Sequence, residues 1–412
     1  MVTRRQFLTR TLRGSSLVAL GGVVPQFLAR TARAAEPGKD TILVVVEMTG
    51  GNDGLNTVIP YADDLYHKYR PTLRHTKHTV IRLNDSVGLH PGLQGLKPLW
   101  EKGRLAVVQG VGYPNPDRSH FESMDVWQLA DPSRKAADGW LGRATGTMDN
   151  KAGGIPILHV GPNKLPLALA GAGGSGAVSV GGPGSTFKLE MGAGPADRDA
   201  ARRKLIADVS AGPAGTADAD LLSFVQRRQL QTLTAVDHLR ELTDGPDKVQ
   251  TWGGGLQQKL QLVGGLIQKG FGTRIFYVNI DGFDTHSDQA PSHKALLTEL
   301  GDSIGQLFNG LGDDADRVAV MTYSEFGRRV QENGSRGTDH GAASCLFVAG
   351  GGVAGGVVGP HPSLADLDAG DLRHHTDFRR VYAALLDGWL GCDAQAVLGT
   401  KWDPLPVIKP KG

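Results

Sequence analysis

The sequence predicts an α/β fold, a doubly wound and mostly parallel sheet with helices on both faces, and three observations carry that reading. Five short apolar runs lie along the chain, Thr41–Val46, Leu105–Val108, Ile275–Ile280, Val318–Thr322 and Ser344–Val348. They alternate with stretches of helical periodicity through two blocks, roughly 40–150 and 255–395. Each run also lies next to a short cluster of carboxylates, His or Ser. In open α/β sheets ligands bind beyond the carboxyl ends of the strands, so these clusters are expected to converge on one rim.

Taken in order, the chain opens with Thr3-Arg-Arg-Gln-Phe-Leu8, a twin-arginine start. The apolar Ser16–Val24 follows, and Ala32-Arg-Ala34 offers small residues of the kind a signal peptidase reads. The apolar run is too short to cross a bilayer, which takes about 20 residues. Residues 1–34 therefore read as a signal peptide for the twin-arginine export machinery. The mature chain is expected in the periplasm or outside the cell, with no membrane span, and already folded around any metal before export. Removing the leader removes six arginines and no acid, leaving 38 basic against 42 acidic residues, a net charge of −4. No basic tract stands out, so nucleic acid is not an expected partner.

One large domain is expected over 40–395, with 396–412 as a C-terminal tail. Leu93, Leu96, Leu99 and Trp100 recur as a helix face after His90-Pro91. The segment 151–254 is rich in Gly, Ala and Pro and reads as an insertion or a cap over the rim, with a helix over Leu221–Leu239. Leu256, Leu260, Val263 and Ile267 form the next stripe, and Leu296, Leu297, Leu300, Ile304, Leu307 and Phe308 another. Phe378–Leu390 reads as the last helix. The two cysteines, Cys345 and Cys392, are too few for a disulfide framework, and Cys345 falls inside an apolar run.

The clusters carry the chemistry. Asp53 ends the glycine-rich Gly50-Gly-Asn-Asp53, either as an Asx turn or as a carboxylate held clear of the sheet. Ser119 stands at a helix start, where a hydroxyl caps the helix or lies beside a bound anion as a nucleophile, with His120 as a base or a second ligand. Asp281, Asp284 and His286 place two carboxylates and an imidazole at the end of an apolar strand, which is costly unless they coordinate or pair. Glu325 adds a carboxylate, and Arg328 a guanidinium able to hold an anionic substrate or to pair with the acids. Asp339-His340 is a further polar pair before the last of the apolar runs. Oxygen with imidazole suits Zn, Mn or Fe, and oxygen alone suits Mg or Ca.

Gly50-Gly-Asn-Asp-Gly-Leu-Asn56, Leu89-His-Pro91, Ser119-His-Phe121, Gly139-Trp-Leu-Gly-Arg143, Asp284-Thr-His286, Ser324-Glu-Phe-Gly-Arg328 and Gly337-Thr-Asp-His-Gly341 together resemble the exported domain of unknown function numbered 1501. Asp377-Phe-Arg379 and Trp389-Leu-Gly391 extend the match. That family is grouped with the alkaline phosphatase and sulfatase superfamily. The resemblance implies an alkaline-phosphatase-like sheet, metals at its strand ends and hydrolysis of phosphate or sulfate esters. By position, Asp53 resembles the first metal ligand and Ser119 the nucleophile. Asp281 or Asp284 with His286 resembles the Asp–His pair of one metal, and His340 its later His.

Two departures stand out. Glu325-Phe-Gly327 replaces the Asp-His-Gly run of phosphatases, and Phe326 cannot ligate, so a second metal loses a ligand or is absent. The Cys-x-Pro-x-Arg motif of sulfatases is missing. The expectation is an exported metal-dependent hydrolase of anionic esters. The alternative is a non-catalytic exported binding or assembly protein that keeps the fold and part of the metal site.

Export is expected to depend on the paired arginines, because the signal is read as a receptor address. Replacing both, Arg4→Lys with Arg5→Lys, keeps the charge and should leave the protein in the cytoplasm on fractionation. Undiminished export of that variant would point to the general secretory route.

Overall fold

A computed structural model describes residues 40–148, 155–161, 165–171, 177–180 and 254–410. The expected signal peptide and the expected helix over 221–239 lie outside the described residues. The first strand shows how the sheet is covered. β1 (Ile42–Thr49) buries every residue but its last. Successive side chains of a strand point to opposite faces. Ile42, Val44, Val46 and Met48 accordingly enter one hydrophobic core, and Leu43 and Val45 enter a second. A strand apolar on both faces needs a layer on each, and helices supply both.

The other strands of this sheet are β2 (Leu105–Gly112), β3 (Ile157–Val160), β4 (Val178–Val180), β5 (Ile275–Asp281), β6 (Val318–Tyr323), β7 (Ser344–Gly350), β8 (Gly356–Val358) and β9 (Thr376–Asp377). Their order is β8-β2-β7-β6-β1-β5-β3-β4, with β9 also on β2. All pairings are parallel except those of β7, which runs against both β2 and β6. That one reversal matters for function. The start of β7 lies at the edge where its neighbours end, so Asp339-His340, which precedes β7, reaches the same rim as the residues that follow β1, β2, β5 and β6. The strand ends are level there, with Thr49 opposite Asp281 and Glu47 opposite Tyr323. This is the mostly parallel α/β sheet that the sequence predicts.

Helices α1 (His120–Leu129), α2 (Trp140–Thr147) and α5 (Phe378–Ala383) cover one face, and α3 (Leu256–Gln268) and α4 (Gln289–Gly310) the other. Trp127 of α1 stacks on Phe378 at 4.4 Å between ring centres, and Trp140 stacks on Tyr382 at 4.0 Å. α3 buries Leu256, Leu260, Val263 and Ile267, the residues of its predicted stripe.

Three elements differ from expectation. The stretch after His90 is a 3₁₀ helix, Pro91–Leu96, followed by a separate α-turn, Lys97–Glu101. Pro98 has no N–H for the carbonyl of Gln94, so one continuous helix cannot form. The last helix leaves α geometry at Ala384 and finishes as a π-helical stretch to Leu390. Within 151–254, β3 and β4 extend the sheet past β5, so the described part of that segment includes two strands of the sheet, with β4 at its edge. Both cysteines are buried and unpaired. Among the described residues no helix is long and apolar enough to cross a membrane.

Candidate metal centre

The rim is held together first by backbone. β1 ends in Gly50 and Gly51, with φ of +117° and +76°, a region that favours glycine. A Cβ on Gly51 would also lie 2.2 Å from the Phe326 ring. Without side chains, this turn packs directly on the loop after β6. The Gly50 N–H donates to Glu325 Oε1 at 2.8 Å, and the carbonyls of Gly50 and Gly51 accept from Arg328.

Asp284, in the loop after β5, is where the clusters meet. Its Oδ1 lies 3.0 Å from His286 Nε2, 3.0 Å from His340 Nε2 and 2.7 Å from Arg328 Nη2. Its Oδ2 lies 3.5 Å from His120 Nε2. The two Nε2 atoms of His286 and His340 are themselves 3.0 Å apart. His120, Asp284 and His340 offer ligand atoms that all lie within 4.8 Å of one another. Ligands of a tetrahedral ion at 2.0–2.2 Å stand about 3.3–3.6 Å from one another, close to the spacings between Asp284 and the rings of His120 and His340.

The far nitrogen of each ring explains why the near ones converge. His340 Nδ1 is 2.8 Å from the carbonyl of Arg118, His286 Nδ1 is 3.2 Å from Asp339 Oδ1, and His120 Nδ1 is 2.8 Å from Glu325 Oε1. A carbonyl or carboxylate oxygen only accepts, so each Nδ1 is the donor. In the neutral rings the lone pairs are then left on Nε2, turned toward Asp284. Orienting acceptors of this kind are what metal-bound histidines use. The hydrogen bond to Glu325 raises the His120 pKa against the opposing effect of burial. Burial would raise Asp284, yet the hydrogen bond and the positive charge of Arg328 hold its pKa at about 2. Asp339 is lowered by the hydrogen bond from Asn333, with burial opposing and His286 adding to the shift.

Of the residues singled out in the sequence, His120, Asp284, His286 and His340 are brought together, with Glu325 and Asp339 behind the rings. Arg328 is buried, and its guanidinium is engaged by four carbonyls, of Gly50, Gly51, Phe283 and Thr338, as well as by Asp284. Asp53 is fully buried away from the rings, between Arg70 Nη1 at 2.6 Å, Arg70 Nη2 at 3.1 Å and Gln289 Nε2. Burial would raise its pKa, but the Arg70 charge and hydrogen bonds bring it to about 2. Asp281 is exposed and takes hydrogen bonds from Asn279. Ser119 precedes α1, and its side chain makes no capping hydrogen bond. Phe326 lies against His120 and His340, at 5.0 and 4.7 Å between ring centres. Sequence reasoning missed Arg70, Gln289 and Arg118. Arg118 adjoins Ser119-His120, which is the only signal that would have drawn attention to it.

A family model described as "Protein of unknown function (DUF1501)" matches residues 107–398, a span that holds His120, Asp284, His286 and His340. No curated protein matches the chain. Among solved structures, the chain is similar to the crystal structure of PsFucS1 sulfatase from Pseudoalteromonas sp., at 10% identity and a TM-score of 0.35 over 83% of this chain and 70% of that one. So distant a likeness says nothing of the chemistry here.

The Asp53–Arg70 pair generates a stability prediction. Arg70→Met leaves a buried carboxylate without its cation and should cost about 3–5 kcal/mol in urea unfolding. The folded pKa of Asp53 lies below the ordinary 3.8, so its contribution, about 2 kcal/mol, is present above pH 4 and lost as pH falls through about 2. A variant as stable as the parent at neutral pH would show that the pair does not anchor the rim.

Proposed function

We propose that this chain, which belongs to the DUF1501 family, is an exported metal-dependent hydrolase of phosphate or sulfate esters. One observation carries the reading: hydrogen bonds at the far nitrogens of three rings turn their Nε2 lone pairs on one carboxylate. Lone pairs that close repel unless a cation lies among them. The motif resemblance to the alkaline phosphatase and sulfatase superfamily supplies the reaction class.

In this reading His120, Asp284 and His340 hold the ion, with His286 beside them. A donor set rich in imidazole favours Zn, Mn or Fe over Mg or Ca. The bound ion would supply positive charge to an anionic ester and to the charge that builds on it during displacement. Glu325, Asp339 and the Arg118 carbonyl fix the tautomers. Ser119 is the nucleophile. Its hydroxyl is not used for capping, and it sits at the start of α1, where free backbone N–H groups favour an anion. Its oxygen attacks phosphorus or sulfur as the ester P–O or S–O bond breaks, the serine proton leaves with the departing alcohol, and water then cleaves the seryl ester to free the serine and release phosphate or sulfate. Phe326 fills the space against two of the rings and favours a single ion.

The second reading is an exported binding or assembly protein with a partial metal site. Arg328 favours it, because a guanidinium 2.7 Å from Asp284 already balances that carboxylate.

Purified wild-type protein should carry about one transition-metal ion per chain by elemental analysis, and His340→Ala should lose most of it. Ser119→Ala should keep the metal and the fold yet abolish hydrolysis of aryl phosphates or sulfates. Folded wild-type protein that takes up no ion would overturn the hydrolase and leave the binding protein.

A further inference from the structure

A cavity of about 630 Å³ adjoins the rings, and Arg118 belongs to both. The Arg118 carbonyl accepts from His340 Nδ1, while its side chain lines the cavity with Asp117, Asp368, Asp371, Arg373 and His374. Ser119 therefore stands between a residue of the cavity and a residue of the rings.

Two Arg–Asp pairs stand in the lining. Arg118 Nε and Nη2 bond Asp371 Oδ2 at 2.9 and 2.5 Å, and Arg373 Nη1 lies 3.7 Å from Asp368 Oδ2. Asp371 is 3% exposed, so its carboxylate is a fixed anchor for the half-exposed Arg118 guanidinium. Arg329 Nε stands 3.9 Å from the other Asp371 oxygen. A further cation here would meet Arg118 and Arg329, and a further anion would meet three aspartates. An apolar group could rest on Pro116, Ala342, Ala369 and Leu372, but it would strip water from two ion pairs and return no hydrogen bond. What remains is a neutral group that both donates and accepts, and an Arg–Asp pair gives adjacent hydroxyls one donor and one acceptor.

We propose that this cavity receives the alcohol part of the ester and that this alcohol is a neutral polyol or sugar. The proposal rests on the hydrolase reading for the word ester, while the preference for hydroxyls rests on the cavity alone.

Saturation-transfer NMR on the full chain separates the two, with myo-inositol and cyclohexanol as probes of one ring size. Inositol should show transfer and cyclohexanol should not. Arg118→Gln and Asp368→Asn should each weaken inositol binding by about tenfold, as expected when a hydrogen bond to a charged group is lost. Asp368 is largely exposed, so its variant should fold even if the Arg118 variant does not. His340→Ala should leave inositol binding in place. Equal transfer from both probes, or undiminished inositol binding in Asp368→Asn, would overturn the proposal. Inositol binding in a protein that takes up no metal would overturn the hydrolase and keep the cavity. Ester hydrolysis without inositol binding would do the reverse.

Discussion

The hydrogen bonds at the Nδ1 atoms of His120, His286 and His340 are the constraint on which the rim depends. Each ring is turned by an acceptor from a different part of the chain: Glu325 after β6, Asp339 before β7, and the Arg118 carbonyl ahead of α1. None of these acceptors can donate, so a reversed ring would lose its hydrogen bond to the acceptor it now meets. The Nε2 atoms have only Asp284 and one another to face. Two such nitrogens 3.0 Å apart share at most one proton, which is a poor resting state for a structural network and a good one for a cation site.

The scaffold that makes this convergence possible is topological. If β7 ran with its neighbours, His340 would emerge at the opposite edge of the sheet. Because it runs against β2 and β6, residues before it meet residues after the others. Beneath the rings lies a second polar layer with a different task. Asp53, Arg70 and Gln289 are buried together, and His293 donates to Asn52 Oδ1 at 3.0 Å with its pKa lowered to about 4 by burial. This layer ties the turn after β1 to α4 and to the carbonyls of Arg329 and Val330.

How much of this was legible in the sequence follows from the range of the interactions. The five long strands were legible because apolar burial is written in consecutive residues. The residue types at the rim were legible for the same reason, since each cluster is contiguous. Their partition was not. Glu325 and Asp339 look like ligands in a list, and each meets the Nδ1 of a ring, a contact set by ring orientation. Asp53 is met by Arg70 and Gln289, and Gln289 lies on a helix far along the chain. The Arg118 carbonyl has no side-chain signature at all. The family motifs divide in the same way. Asp377 caps α5 by accepting from the Arg379 N–H, and Arg143 donates to the carbonyls of Leu129 and Val397, so both serve the fold. β3 and β4 are only four and three residues long and lie in a glycine-rich segment, too short a run for apolar burial to mark them as strands.

The central claim is that the three rings hold their Nε2 lone pairs inward, and histidine tautomers are directly observable. Long-range ¹H–¹⁵N correlation spectra of histidine-labelled protein, compared with the spectra of His120→Ala, His286→Ala and His340→Ala, would assign each ring. The account predicts that His120, His286 and His340 carry the proton on Nδ1 at neutral pH and that added Zn²⁺ shifts the Nε2 signals of His120 and His340. Rings protonated on Nε2, or Nε2 signals that Zn²⁺ leaves in place, would contradict it.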